Sequence, residues 1–282
     1  MDEVESIARC MALYSHTPQV QLVQTEMRKK VVDAWAIRPG SRILEIGCGQ
    51  GDLTAVLAHA CGAEGHVEAF DLAPPDYGAP VTIGDSADYL LRSPLGPRIS
   101  FHLDCDLFGG ETGFPEDAFD YVAFAHCSWY FNSLELLKSM LNRIRPWARQ
   151  LCLSEWDLVP RESSQLAHAL AVVIQGQVEA FRGDSSSNVR TPATRTGLER
   201  LLRDAGWEEL QTATIDSSGL QDARWEIEEC LRSTARHAAV LGLPPRFLGL
   251  VDTELDLLRG IAAAHGTKSL SSFAILAARN GR

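Results

Sequence analysis

The sequence predicts an α/β fold, with a mostly parallel seven-stranded sheet covered by helices on both faces. Short apolar segments alternate with helical patterns from residue 42 to residue 157. A glycine-rich turn also joins the first apolar segment to the next helical pattern. Parallel strands are buried on both faces and connected through helices, which produces this alternation. We expect residues 1–282 to form a single domain.

Residues 1–38 are predicted to form helices ahead of the sheet. A short helix is predicted over residues 4–13, and a longer one begins at Thr17 and Pro18. Threonine suits the N-cap, where its hydroxyl accepts from a free amide, and proline suits the first helical position, which needs no amide donor. Pro39 and Gly40 end this part. The apolar residues of the longer helix recur at helical spacing, at Val20, Val23, Met27, Val31 and Ala34.

The central part of the chain alternates strands and helices. Short apolar runs predict five strands, at residues 43–46, 66–71, 99–103, 119–125 and 151–155. Periodic apolar residues predict helices between them, at residues 53–60, 86–92 and 134–144.

Helices predominate beyond residue 157. Thr196 and Glu199 have the spacing of a capping box, which predicts a helix that closes at Gly206. Pro244 and Pro245 separate two long helical patterns. The remaining elements are an amphipathic helix at 166–181, a polar loop at 183–192, a sixth strand at 207–215, helices at 225–241 and 247–261, and a seventh strand at 270–278.

The turn after the first strand carries the strongest functional signal. Gly47, Gly49 and Gly51 follow Glu45 at alternate positions and lead directly into a helix. A strand, a glycine turn and a helix start together form a site for a nucleotide-like cofactor at the edge of a parallel sheet. A dinucleotide fingerprint would need a glycine at position 52, which is Asp52. The spacing therefore disfavours an NAD(P)-dependent oxidoreductase, which is the main alternative enzyme.

The E-x-G-x-G-x-G pattern at residues 45–51 resembles motif I of the class I S-adenosylmethionine-dependent methyltransferases, in particular those that act on small molecules. The resemblance has motif detail over residues 39–157 and rests on element order beyond them. It implies the Rossmann-like methyltransferase fold, with the last strand antiparallel between the fifth and the sixth. It also implies that residues 160–192 and 217–266 are helical cap insertions, which in this family commonly cover the substrate pocket.

The resemblance also implies S-adenosyl-L-methionine as cofactor and a role for each cofactor residue. The methionine part would lie along the glycine loop, with Glu45 near the ammonium group. Asp71 would accept hydrogen bonds from both ribose hydroxyls. Either Asp104, which we favour, or Asp106 would accept a hydrogen bond from the adenine amino group. The N-terminal part would fold over the carboxylate. The implied cofactor contacts are Tyr14, Glu45, Gly47, Cys48, Gly49, Gly51, Asp71, Asp104, Cys105, Ala125 and His126.

The segment after the fourth strand is predicted to line the methyl-transfer site. His126 is a candidate general base or only a cofactor contact. Trp129 and Tyr130 are expected to form an aromatic wall toward the substrate, and Trp156 to face the substrate from the next strand. The segment lacks an N/D-P-P-Y/F motif, which argues against methylation of adenine or of glutamine amides.

Composition restricts the partners. A net charge of −11 disfavours nucleic acid, so a small-molecule substrate is expected, and the basic run at residues 28–30 is predicted to be a solvated helix face. No apolar run is long enough for a membrane helix, and the acidic N-terminus predicts a cytoplasmic location. Seven cysteines without a C-x-x-C pair predict reduced thiols and no metal site. A monomer, a homodimer, and a cofactor-binding regulator without turnover all remain open.

Overall fold

The computed structural model describes residues 2–109, 113–183, 185 and 187–280. Its strands are β1 (Arg42–Ile46), β2 (His66–Phe70), β3 (Ile99–His102), β4 (Phe119–Ala125), β5 (Ala148–Trp156), β6 (Trp207–Ile215) and β7 (Ser272–Arg279). Its α-helices are α1 (Glu3–Ala8), α2 (Pro18–Trp35), α3 (Asp52–Ala60), α4 (Ile83–Leu91), α5 (Leu134–Ile144), α6 (Leu166–Glu179), α7 (Arg195–Asp204), α8 (Asp222–Val240) and α9 (Pro245–His265). Single 3₁₀ turns lie at Ala12–Ser15, Gly96–Arg98, Ser128–Tyr130 and Ser163–Gln165.

The strands form one seven-stranded sheet in the order β3-β2-β1-β4-β5-β7-β6. Strands β1 to β5 pair in parallel, and β7 pairs antiparallel with both β5 and β6. The predicted fold class is therefore confirmed, including the position and direction of the last strand. The strand order reverses between β1 and β4, and ligands of open α/β sheets bind at this switch point, outside the carboxyl ends of the strands.

Consecutive residues of a strand pack into different hydrophobic cores, because their side chains point to opposite faces of the sheet. Ile43 packs with α2 and α3 on one face of the sheet, whereas Leu44 packs with α5 and α7 on the other. A third apolar cluster consists of residues from α6, α8 and α9. These three helices lie in the segments predicted to be cap insertions and pack on one another, so each apolar face has a partner among them. Their role as a cap over a substrate pocket stays a prediction.

Three local predictions need correction. The capping box is wrong, because the hydroxyl of Thr194 accepts from the Gly197 amide and caps α7, while Glu199 pairs with Arg195. The helix predicted over residues 4–13 ends at Ala8 and is followed by a separate 3₁₀ turn. Thr17 occupies the N-cap of α2 but makes no side-chain cap hydrogen bond.

Candidate active site

The glycine loop lies at the carboxyl end of β1. Gly47, Gly49 and Gly51 have φ values of 76°, 52° and 86°, in the left-handed region that favours glycine. A Cβ at Gly47 would lie 2.8 Å from the Cβ of Cys127, so this glycine allows the loop after β4 to pack closely. A Cβ at Gly49 would have no neighbour within 4 Å. The loop therefore presents backbone to open space at Gly49, as a cofactor cradle requires.

Asp71 anchors this loop. Its Oδ2 accepts from the Gly49 amide at 2.7 Å, and its Oδ1 accepts from the Ala73 amide at 2.8 Å. Each carboxylate oxygen has a second lone pair. The predicted ribose contact stays a prediction, and the structure adds a positioning role that the sequence did not indicate.

Glu45 is a buried acid with an unused acceptor. Only 1% of the residue is exposed, and its Oε2 has no hydrogen-bond partner among the described residues. Burial raises the pKa of Glu45 to about 8; the nearby Thr54 hydroxyl opposes this shift without reaching hydrogen-bond geometry, and the negative charges of Asp71 and Asp52 add to it. A buried carboxylate oxygen without a donor is costly. The position therefore suits a ligand that donates a hydrogen bond.

Arg28 corrects the prediction of a fully solvated basic face. Lys29 and Lys30 do form ion pairs on the surface, with Asp33 at 2.8 Å and Glu26 at 2.9 Å. Arg28 instead approaches the cleft. Burial dominates the pKa shifts of Glu45, His126 and Asp222, and the positive charge of Arg28 lowers the pKa of all three groups.

The sequence contained a signal for this orientation. Gln21, Thr25 and Arg28 have the i, i+4, i+7 spacing of one helix face, and Gln21 and Thr25 are both 1% exposed. The Gln21 amide donates to Asp52 Oδ1 at 2.7 Å, which attaches this face to the start of α3. Polar residues at helical spacing within a buried face indicate a site.

The two candidate adenine ligands differ in their contacts. Asp106 Oδ1 accepts from the Phe108 amide at 2.7 Å, which uses that carboxylate in a local turn. Asp104 is exposed, has a φ of 54°, and its carboxylate has no hydrogen-bond partner among the described residues. The Cys105 amide donates to the Asp71 carbonyl at 3.0 Å. These contacts favour Asp104.

His126 follows Ala125 at the carboxyl end of β4. Its φ of 52° is unusual for a non-glycine residue and is typical of functional positions. Nε2 lies 2.9 Å from Ser272 Oγ, and the Ser217 hydroxyl donates to the same oxygen at 2.8 Å. Burial lowers the pKa of His126 to about 3, so the ring is neutral at physiological pH. Nδ1 has no partner among the described residues and is not sealed from solvent.

The predicted aromatic wall is mostly interior. Trp129 is 3% exposed, and Trp156 is 9% exposed and packs edge-on between His126 and His168. Tyr130 is 40% exposed, yet burial of its hydroxyl and then the negative charge of Glu155 raise its pKa. Tyr130 thus combines a partly exposed side chain with a hydroxyl near acidic residues. It remains the best candidate of the three for a substrate contact.

Glu155 is a site residue that sequence analysis did not single out. Its Oε2 accepts from the amide and hydroxyl of Ser128 at 3.1 and 2.6 Å, and its Oε1 accepts from the Trp156 amide at 3.0 Å. Burial raises the pKa of Glu155 to about 7. The carboxylate joins the loop after β4 to the end of β5. The sequence did contain a signal for this role, since Glu155 is an acidic residue near the end of an apolar strand.

Comparison with known proteins identifies the family. Residues 20–212 match the family model of a methyltransferase domain. The chain belongs to the methyltransferase family. It is 37% identical over 193 residues to methyltransferase phomM' of Diaporthe leptostromiformis, covering 58% of this chain and 49% of that relative. The match therefore spans about half of the relative's length.

Two further relatives cover more of their own length. The ubiquinone/menaquinone biosynthesis C-methyltransferase UbiE of Vibrio parahaemolyticus is 27% identical over 190 residues, which cover 64% of this chain and 70% of that protein. A crystal structure of a cyclopropane-fatty-acyl-phospholipid synthase-like protein from Lactobacillus casei has a TM-score of 0.84 and 33% identity, covering 98% of both chains. Because this similarity covers 98% of the chain, it includes helices α6, α8 and α9.

Tyr14 contacts residues of the N-terminal segment. Tyr14 places its hydroxyl 3.5 Å from Glu5 Oε1, under the guanidinium of Arg9, so its present contacts do not favour the predicted cofactor role.

All seven cysteines are free. Among the described residues, no group of acidic, histidine or cysteine side chains has the arrangement of a metal site, and no helix has the length and apolar character to cross a bilayer.

Proposed function

We propose that this protein is an S-adenosylmethionine-dependent methyltransferase that acts on a small molecule. The observation that carries the proposal is the left-handed glycine loop, where Gly49 faces open space. The strand that leads into this loop carries Glu45, whose buried Oε2 has no hydrogen-bond partner among the described residues. The two features fit one ligand, because the backbone must come close to it and a buried acid must receive a hydrogen-bond donor from it.

The chain offers a complementary group for each part of that cofactor. Glu45 would accept from the ammonium group, and Arg28 would pair with the carboxylate. Asp71 would accept from the ribose hydroxyls while it holds the Gly49 amide, and Asp104 would accept from the adenine amino group. The pairing of Arg28 with a carboxylate is favoured because guanidinium and carboxylate match in charge and geometry.

The bound cofactor supplies a methyl group already activated by a sulfonium. The protein therefore needs to orient the acceptor and exclude water, and such alignment can contribute on the order of 7–11 kcal/mol. Glu155 fixes the loop that carries Ser128, which keeps the aromatic segment in one position beside β5. The acceptor atom can be oxygen, nitrogen or sulfur.

His126 is the proposed proton acceptor for substrates that must lose a proton. If Nε2 carries the hydrogen and donates to Ser272, a lone pair remains on the open Nδ1; if Ser272 donates to Nε2, Nδ1 carries the hydrogen and can only donate. The first arrangement suits a base and the second suits a cofactor contact. A pKa of about 3 makes His126 a weak base until bound groups raise it.

Ligand titrations with an Arg28 variant test the cofactor site. We expect S-adenosylhomocysteine to bind, and Arg28→Ala to weaken it about 10- to 100-fold, the usual value of a hydrogen bond to a charged group. Methylthioadenosine has no amino-acid part, so its affinity should change less than about twofold. Lys30→Ala, on the solvated side of the same helix, is the matched control. Calorimetry that detects NADH binding and no response to S-adenosylhomocysteine would reverse the assignment to the oxidoreductase.

A His126 variant separates the two roles of that residue and addresses the regulator hypothesis. If His126 is the base, His126→Ala lowers turnover about 10²- to 10⁴-fold and leaves S-adenosylhomocysteine affinity unchanged. If it only contacts the cofactor, affinity falls and turnover at saturation persists. Absence of turnover by the wild-type protein across an acceptor panel of phenols, amines and thiols would support a regulator.

A further inference from the structure

A large cavity lies outside the cofactor cleft. It has a volume of about 720 Å³ and is bounded by α6, α8 and residues 187–188. The same segment is attached to the loop after β4, because the amides of Arg190 and Thr191 both donate to the Trp129 carbonyl at 3.0 Å. Arg190 also donates to the Tyr130 carbonyl at 2.9 Å. Residues 187–191 therefore connect the edge of the cavity with the aromatic segment of the candidate active site.

Two carboxylates of the cavity have acceptor capacity that the described residues do not fill. Glu226 accepts from the Gln175 amide at 2.9 Å and has no ion pair among the described residues. Glu179 is 8% exposed, and although its Oε1 accepts from Arg182 at 2.7 Å, its Oε2 has no partner in the part of the chain that the structure describes. The second arginine of the cavity, Arg232, is already paired with Glu229. Both arginines of the cavity are thus paired, whereas Glu226 and Glu179 keep acceptor capacity.

One face of α8 connects this cavity with the cofactor cleft. Asp222, Glu226 and Glu229 have the i, i+4, i+7 spacing of a single face. Asp222 lies at the cleft end, where burial raises its pKa and the positive charge of Arg28 lowers it by a smaller amount. Its Oδ2 is buried and has no partner among the described residues. Glu226 is close enough to the aromatic segment that its charge contributes to the raised pKa of Tyr130, after burial and the charge of Glu155.

We propose that this cavity binds the positively charged amine of the methyl acceptor, which makes small organic amines the substrate class. Partial burial of a carboxylate without a cation is unfavourable, so an ammonium group that reaches Glu226 would supply the charge partner that it lacks among the described residues. The unpaired Oε2 of Glu179 would accept a further hydrogen bond from the same group. Trp225 is 50% exposed and lines the same cavity, and it offers an aromatic face to a cation. The methylated atom need not be this nitrogen. The inference rests on the proposed function.

Binding of a simple amine tests the proposal. Calorimetry is performed on the full chain saturated with S-adenosylhomocysteine, using phenethylamine as the probe and the neutral 2-phenylethanol and the anionic 3-phenylpropionate as comparisons. We expect the amine to bind at least about tenfold more tightly than either comparison. Glu226→Gln, which keeps an oxygen for the Gln175 amide, should weaken the amine at least about tenfold and leave S-adenosylhomocysteine affinity unchanged.

The chain offers a matched control. Glu254 on α9 also accepts from a glutamine of α6, Gln177, at 3.3 Å, and it does not line the cavity. Glu254→Gln removes the same charge and should leave amine affinity within about twofold.

Three outcomes would overturn the inference: equal binding of the amine and the alcohol, equal losses in the two variants, or displacement of the amine by Ca²⁺ at equimolar concentration. If S-adenosylhomocysteine itself fails to bind to the wild-type protein, the proposed function fails instead. Thermal unfolding of both variants checks that they are folded, so that a loss of amine affinity is not caused by unfolding.

Discussion

At the scale of single residues, unused hydrogen-bonding capacity marks where ligands belong. Glu45 Oε2 and Asp222 Oδ2 are both buried acceptors without a donor among the described residues, and both belong to side chains near Arg28. Most buried polar groups in proteins have partners, so such acceptors need an explanation. A zwitterionic ligand with an ammonium and a carboxylate explains the two acids and the arginine together.

The glycine loop allows a prediction that separates packing from ligand access. Alanine at a left-handed position costs roughly 1–2 kcal/mol relative to glycine. At Gly49 that is the full expected loss of unfolding free energy, because nothing lies within 4 Å of the new Cβ. At Gly47 the new Cβ would lie 2.8 Å from Cys127 Cβ, which adds about 1–3 kcal/mol of overpacking.

Urea denaturation of the two alanine variants measures this difference, and calorimetry measures their affinity for S-adenosylhomocysteine. We expect Gly49→Ala to lose most of its affinity and to remain folded. If Gly49→Ala binds as the wild type does, the cofactor does not lie against that position of the loop.

Some residues were predictable and others were not, for a physical reason. The glycine loop and Asp71 are close in sequence to the strand ends that position them, so spacing alone indicates their place. The orientation of Arg28 depends on which face of α2 packs on α3, and the role of Glu155 depends on the neighbouring strand β4. Glu226 acquires significance only when α8 packs on α6. These contacts join segments far apart in sequence.

At the scale of elements, apolar periodicity was sufficient to find the sheet and its helices. The helix Leu134–Ile144 and the strand Trp207–Ile215 have the predicted bounds. The predicted start of a helix was wrong where a side-chain N-cap sets its first residue. For α4, the hydroxyl of Thr82 accepts from the Asp85 amide at 3.1 Å, so the helix begins at Ile83 rather than at Ser86.

The corrected cap of α7 leads to a second prediction. Thr194 Oγ1 accepts from the Gly197 amide at 3.2 Å, so Thr194→Ala should lower the unfolding free energy by about 1 kcal/mol, the usual value of an N-cap. Thr196 lies inside the first turn, and Thr196→Ala should cost less than about 0.5 kcal/mol. Chemical denaturation of the two variants decides between the caps. A larger loss of unfolding free energy in Thr196→Ala than in Thr194→Ala would support the capping box that the sequence suggested.

At the scale of the whole molecule, buried ionisable groups act in opposite directions on stability. Glu45 and Glu155 have folded pKa values of about 8 and about 7, above the ordinary value of 4.5. The stability they contribute is complete below pH 4.5 and is lost as the pH rises through the folded values. His126 and His168 have folded pKa values of about 3 and about 4, below 6.5, so protonation favours the unfolded chain as the pH falls.

Because these effects oppose one another, the pH dependence of the wild-type unfolding free energy does not reveal the contribution of any one group. A variant of His168 isolates one such contribution. His168 is 1% exposed, and its Nδ1 accepts from the Leu270 amide at 3.0 Å, which connects α6 to the segment before β7. In His168→Asn the side-chain oxygen can accept from the same amide, and the residue no longer titrates. Between pH 6.5 and pH 4 the unfolded wild-type chain binds a proton at this site that the folded chain does not bind.

The stability advantage of the wild type over His168→Asn should therefore shrink by up to about 2 kcal/mol between pH 7.5 and pH 5, the value for one histidine with these two pKa values. Denaturation of both proteins at each pH gives this double difference, in which the opposing effects of Glu45 and Glu155 cancel. The loss of edge-on packing against Trp156 lowers the stability of the variant at every pH and does not alter the slope. A difference that stays constant with pH would mean that His168 titrates alike in the folded and unfolded chains, and that burial between α6 and β7 does not hold it neutral.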